Sequence, residues 1–270
     1  MATAAPIATP AGHGLGYRQA VDRPQIAPLS ALIPATVPLP VFTRNRDRLG
    51  RSHFNQGSLP ICTGCGTALQ LEDALVKEGV PVPVHRSPQF NYYWGGVLEG
   101  DVQAAGRDPR YVVQAMARYG DCPEHDWSID PANFNVPPSS KAVQAAQRRK
   151  VVRSYEVPIS VVAIKAALAS GYLVGVGLQV YPSVEQPGPD NVIYRPQPGE
   201  PFLGGHYPVL VDYADVAVDG IPAGTFLLWN SWGDGWCAGG NAFLAQDYIE
   251  GTAGGGPLVY EALVISAATR

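Results

Sequence analysis

The sequence predicts an α+β fold: helix signals fill the first half of the chain, strand signals fill the second, and 30 glycines with 26 prolines in 270 residues favour turns over a helical bundle. The first helix is expected over residues 62–78, where Cys65, Ala68, Leu71 and Leu75 recur at helical spacing and Gly79 supplies the stop. Ser87 and Pro88 read as a cap and first-turn pair. Asp108 and Pro109 repeat that device ahead of an apolar run from Tyr111 to Met116, which Gly120 closes. Residues 131–140 have the composition of a linker, and Ser160 caps a short helix ending at Gly171. Beyond it the pattern is that of strands: residues 173–181, residues 204–213 with His206 near their start, residues 225–229 and residues 242–244. The Pro- and Gly-rich residues 186–200 form a loop leading to the His206 strand. The expected organisation is a flexible tail over residues 1–25 and one domain over residues 26–270, with a helical lobe at about 56–135 and a β lobe at about 150–268.

Composition narrows the function without naming it. A chain that is 46% apolar and 16% charged has the make-up of a soluble globular protein, and 270 residues can bury a substantial core as one domain or two lobes. The net charge of −4 leaves no electrostatic footprint for nucleic acid. The basic run over residues 141–150, with Arg148 and Arg149, reads as a solvated helical face. No apolar stretch reaches the ~18 residues that span a bilayer, and residues 1–10 have neither the basic nor the apolar segment of a secretory signal. A cytoplasmic location is the default expectation. Four cysteines do not suggest a disulfide framework.

The chemistry concentrates in three blocks. In Asn55-Gln56-Gly57-Ser58-Leu59-Pro60-Ile61-Cys62 a glutamine stands six residues before a cysteine at a loop-to-helix junction. There the unpaired N–H groups and the positive end of the helix dipole favour a thiolate over a thiol. Gly204-Gly205-His206-Tyr207-Pro208 follows 144 residues after the cysteine, counted to His206, and Asn230-Ser231-Trp232-Gly233 begins 24 residues later. Taken singly, each residue has a bland explanation: a loop glutamine, a small buried cysteine, a core histidine, a turn-capping asparagine. Their conjunction in this order does not. His13, His53, His85 and His125 have no comparable context and read as surface or loop residues.

These blocks resemble those of papain-like cysteine peptidases, the C1 family, in a bacterial-type member. The resemblance runs from about Ser52 to about Phe243. It includes Ser87-Pro88-Gln89-Phe90-Asn91-Tyr92-Tyr93 and Tyr119-Gly120-Asp121-Cys122-Pro123-Glu124. It implies a two-lobe fold, a helical lobe packed on an antiparallel β-barrel-like lobe, with the active-site cleft between them. It further implies Cys62 as nucleophile, His206 as general base and acid, Asn230 as the residue orienting the imidazole, Gln56 as oxyanion-hole donor and Trp232 as a shield over the His–Asn hydrogen bond. Gly106 is a weaker match to the family's glycine that binds substrate backbone. Hydrolysis through a thiolate–imidazolium pair and an acyl-enzyme follows, with a peptide or protein substrate, no cofactor, no metal and a monomeric state. Thr63 and Gly64 replace the family's usual Trp-Ala, Leu59-Pro60-Ile61 replaces Cys-Gly-Ser, and Cys237 stands where a glycine is usual. None of these changes removes a catalytic group.

Other readings compete. A papain-like chain can bind peptides without cutting them, and the same acyl-enzyme can pass its acyl group to an amine. Cys62-Thr63-Gly64-Cys65 also matches the C-x-x-C of zinc and redox sites, but Cys122 and Cys237 are isolated and no strand feeds the motif. Cys65 is expected to be a packing residue, the alternative being a redox latch to Cys62. The region before Ser52 is too short and proline-rich for the long helical prosegment common among relatives, so activity without proteolytic maturation is expected.

Overall fold

Helices begin where capping residues place them. In the computed structural model, which describes residues 8–146 and 150–269, α1 is Cys62–Lys77, α2 is Pro88–Glu99 and α3 is Pro109–Tyr119. Ser87 Oγ accepts from the Phe90 N–H (3.0 Å) and Asp108 Oδ1 from the Arg110 N–H (2.9 Å), each followed by proline at the first helical position. A cap of this kind stabilises a helix by about 1 kcal/mol. Gly100 and Gly120, at φ of +84° and +82°, end α2 and α3 in conformations that a side chain would strain.

The chain divides into two units: Met1–Ile26, Gln56–Ser154 and Ile265–Arg270 make the first, and Ala27–Asn55 and Tyr155–Val264 the second. In the first unit α1 is buried on every side over residues 62–75, not on one face alone as its spacing suggests. Among its buried polar residues, Thr67 Oγ1 donates to Thr63 O at 2.6 Å. The Glu72 carboxylate, 1% exposed, accepts from the Arg86 N–H at 2.5 Å and faces the His85 ring at 3.2 Å. α3 is amphipathic, burying Val112, Val113, Ala115 and Met116; full burial of a large apolar side chain contributes roughly 1.5–3 kcal/mol. Within the residues expected as a linker and a basic helical face, Pro131–Asn133 is a single 3-10 turn and α4 is Ser140–Ala146; Arg148 and Arg149 lie outside the described residues.

The expected flexible tail is a point of correction. Over its described part it packs on the first unit: Leu15 is 3% exposed and Tyr17 is 8% exposed. Glycines at 14 and 16 leave this segment's backbone bare, which lets it lie against other backbone where side chains would keep it away.

The second unit is built on an antiparallel sheet. Val259–Thr269 over its residues to Val264, Val174–Val180, Val209–Ala214, Thr225–Trp229 and Asn241–Ala245 follow one another in it, and Val192–Ile193 adds a parallel strand to Asn241–Ala245. This is an open path of strands, with no closed barrel among the described residues. Ser160 Oγ accepts from the Ala163 N–H (3.2 Å) to start α5, Val161–Ala169, as its sequence predicts. The strand expected over residues 204–213 is two strands, Gly204–His206 and Val209–Ala214. Pro208 cannot donate to a ladder, so the pairing breaks there. Strands outside the expected set include Lys150–Glu156, the long final Val259–Thr269, and the short Val192–Ile193 within the residues expected as a loop. No helix among the described residues is long and apolar enough to cross a membrane.

Candidate active site

Cys62 is the first residue of α1, after Ile61, whose side chain makes no cap. Its thiol is fully buried. The N-terminal end of the helix therefore presents its dipole and backbone donors beside that sulfur, with no capping side chain on Ile61 to compete for them. Near it lies Tyr92 of α2, whose phenol is pushed up to about 12, mainly by burial, with the nearby Arg107 guanidinium opposing the shift and the Cys62 sulfur adding to it. Tyr92 donates to Ala104 O (3.3 Å) and accepts from the Gly106 N–H (2.9 Å). The Arg107 guanidinium, fully buried, sits 4.7 Å above the Tyr92 ring and 3.6 Å from Glu99. Burial lowers the Arg107 pKa and raises that of Glu99, which Arg18 also reaches at 3.0 Å. Of this buried cluster only Tyr92 lies in a block the sequence singles out; Arg107, Glu99 and Arg18 do not.

Gln56, 1% exposed, donates from its amide nitrogen to backbone, to Leu59 O at 2.7 Å and to Gly14 O at 3.1 Å. The Gly14 N–H in turn donates to Gly57 O at 2.8 Å. Two residues on, the Arg107 N–H donates to Gly16 O (2.9 Å) and the Arg18 N–H to Arg107 O (3.2 Å), so Tyr17 and Arg107 form a parallel bridge. The approach is so close that a Cβ on Gly14 would stand 2.1 Å from Leu59 O, and one on Gly16 would stand 2.0 Å from Pro60 O. Only glycine fits at either position. The legible trace of this contact is the pair of glycines at positions 14 and 16, two apart, which leaves one face of the segment bare.

In the second unit the sheet brings His206 and Asn230 together. Val209 pairs with Trp229 across the ladder, so the chain just before Val209 and just after Trp229 leave the same end of it. His206 Nε2 lies 2.7 Å from Asn230 Oδ1. That oxygen also accepts from the Ser231 N–H at 2.8 Å, which fixes the amide with its oxygen toward the ring. The Trp232 indole stacks on the imidazole at 4.7 Å between centroids and 27° between planes. Both His206 (1% exposed) and Asn230 (4%) are buried.

The remaining cysteines differ in setting. Cys65 is buried one turn into α1. Burial pushes the Cys122 thiol up to about 12. Cys237 is half-buried, its thiol also raised by burial, and it holds a φ of +47° that explains why glycine suits this position better. Among the other histidines, His125 is exposed and His13, His53 and His85 lie in loops, as expected, though His85 faces Glu72 and His53 is enclosed on several sides.

No protein-family profile matches the chain. An uncharacterized peptidase C1-like protein of Acanthamoeba polyphaga mimivirus is 27% identical over 209 residues, 73% of this chain; the match spans 65% of that relative's length. Among solved structures, xylellain, a cysteine protease from Xylella fastidiosa, superposes with a TM-score of 0.78 at 23% identity, covering 94% of this chain and 96% of its own. Digestive procathepsin L 3 of Tenebrio molitor larval midgut gives 0.69 at 16% identity, covering 93% and 75%. The fold of this chain is papain-like.

Proposed function

We propose that this papain-like chain is a cysteine peptidase that hydrolyses peptide bonds through a Cys62 thiolate, a His206 imidazolium and an acyl-enzyme. The observation that carries the reading is the His206 Nε2–Asn230 Oδ1 hydrogen bond of 2.7 Å beneath the Trp232 ring. With Nε2 bound to an acceptor, that nitrogen keeps its proton and Nδ1 is the one left to exchange a proton with the thiol. The fully buried helix N-terminus at Cys62 supports the other half of the pair, because its field favours the thiolate.

The steps follow from these roles. Cys62 Sγ attacks the scissile carbonyl, and the negative charge that develops on its oxygen is met by the Cys62 N–H and the Gln56 amide. His206 protonates the leaving amine as the tetrahedral intermediate collapses to a thioester. Neutral His206 then takes a proton from water, whose oxygen attacks the thioester, and the thiolate departs. Asn230 transfers no proton. Gln56 serves this role by exchanging the Gly14 carbonyl for the oxyanion, so residues 14–17 and the substrate compete for the strip between the Gln56 loop and Gly106.

A peptide-library digest with the parent and Cys62→Ala proteins tests the reading. Cleavage by the parent alone is expected. Peptide binding by both with cleavage by neither makes the chain a binding protein, and products extended by an added amine make it an acyl transferase.

A further inference from the structure

No motif singles out His53, yet its ring is held on four sides, 6% exposed as a side chain. Nδ1 lies 2.7 Å from Asp234 Oδ1 and Nε2 lies 3.2 Å from Asn241 Oδ1. Its own N–H donates to the same Asp234 oxygen at 2.9 Å. One ring face stacks on Trp229, 3.8 Å between centroids and 21° between planes. Gly240 closes the remaining side, at φ +86°, so tightly that a Cβ there would stand 2.4 Å from His53 Cγ.

The position of Asn230 gives this packing a purpose. Asn230 directly follows Trp229, and its N–H donates to Gly240 O at 3.1 Å. The Trp229 indole and Gly240, which contact the His53 ring, thus belong to the two chain segments that meet at this Asn230 bond. Beyond His53, Phe54 O accepts from the Gly233 N–H at 2.9 Å and Asn55 bridges Trp232, the residue stacked on His206. Hence a single imidazole packs against both the Trp229 indole and Gly240, beside the backbone bond that anchors Asn230.

We infer that His53 is a positioning residue for the reaction: by bracing Trp229 against Gly240, it holds Asn230 Oδ1 on His206 Nε2. The inference rests on the peptidase reading of His206 and Asn230. It assigns His53 no proton transfer and no contact with substrate. An imidazole is suited to the place because it combines a flat face for the indole with two in-plane nitrogens for Asp234 and Asn241.

A double-mutant cycle separates this role from simple packing. His53→Ala is expected to lower kcat about tenfold with KM unchanged within about twofold, and to lower kcat less than about twofold when Asn230→Ala is already present, because a residue acting through Asn230 has nothing left to position. The same factor in both backgrounds, or no loss in either, overturns the inference. Should His53→Ala fail to fold, Asp234→Ala removes one side of the brace at an exposed carboxylate, and its expected loss of about threefold vanishes in the Asn230→Ala background by the same logic. The His206 Nε2–H proton signal in NMR gives a readout independent of turnover. Faster exchange of that proton with solvent in Asp234→Ala or His53→Ala supports the inference even in a chain that cuts no peptide, and unchanged exchange contradicts it. A parent without His206-dependent cleavage refutes the peptidase reading alone.

Discussion

The N-terminus of α1 and the end of the Val209–Ala214/Thr225–Trp229 ladder hold the side chains proposed for catalysis by different means. At Cys62 the placement is local: the 16-residue helix starts at the cysteine, and its backbone donors come with it. At His206 and Asn230 the placement is remote. The two residues are 24 positions apart and meet because register sets Val209 opposite Trp229, with Trp232 and the His53 brace holding the loop that follows. A helix end tolerates change nearby as long as the helix forms. A ladder end transmits small shifts directly into a hydrogen-bond length.

Substitutions can break this comparison at either pole. The largest effects are expected from Cys62→Ala and His206→Ala, each lowering kcat/KM by roughly 10⁴-fold or more, since they remove reacting groups; residual hydrolysis within tenfold of the parent in a peptide assay would exclude the residue concerned. Gln56→Ala is expected to lower kcat by roughly 10²–10³, the usual loss on removing one oxyanion donor. Because Gln56 also holds Leu59 O and Gly14 O, the same variant is expected to melt slightly lower in calorimetry. Equal turnover in mutant and parent removes it from the oxyanion site.

Asn230→Ala sharpens the contrast, because orientation is lost while the base remains. A fall in kcat of about 10–10² is expected, clearly less than for His206→Ala. An asparagine variant as inactive as the histidine variant, with unchanged circular dichroism, assigns it more than orientation. The smallest effect is expected at Gly16. An alanine there meets Pro60 O and frees residues 14–17, so kcat/KM is expected to rise a few-fold with no change in the alkylation chemistry of Cys62. A loss of activity would mean that this segment supports the site and does not compete for it.

The parts of the fold that depend on neighbouring residues are legible in the sequence. The Ser87, Asp108 and Ser160 caps are local signals, and the helices begin on them. Cys62, His206 and Asn230 stand out by their motifs, while the meeting of His206 with Asn230 depends on a strand pairing that periodicity does not encode. Pro208 carries the sign of a strand break that a continuous apolar run conceals. The N-terminal residues mislead, because proline and alanine suggest a loose tail. The informative residues there are the alternating glycines, whose meaning depends on the carbonyls of Leu59 and Pro60 beside them. His53 is silent for a related reason: its partners Asp234 and Asn241 are more than 180 positions away.

The central claim is that Cys62 is a thiolate made by His206, and its alkylation answers it most directly. Iodoacetamide labelling rates, mapped to individual cysteines by mass spectrometry and followed against pH in the parent and in His206→Ala, measure the pair itself. The account predicts that Cys62, though fully buried, labels before Cys65, Cys122 and the more accessible Cys237, whose thiol burial has raised, and that its advantage at mildly acidic pH disappears in His206→Ala. Faster labelling of another cysteine, or a Cys62 rate unaffected by loss of His206, would contradict it.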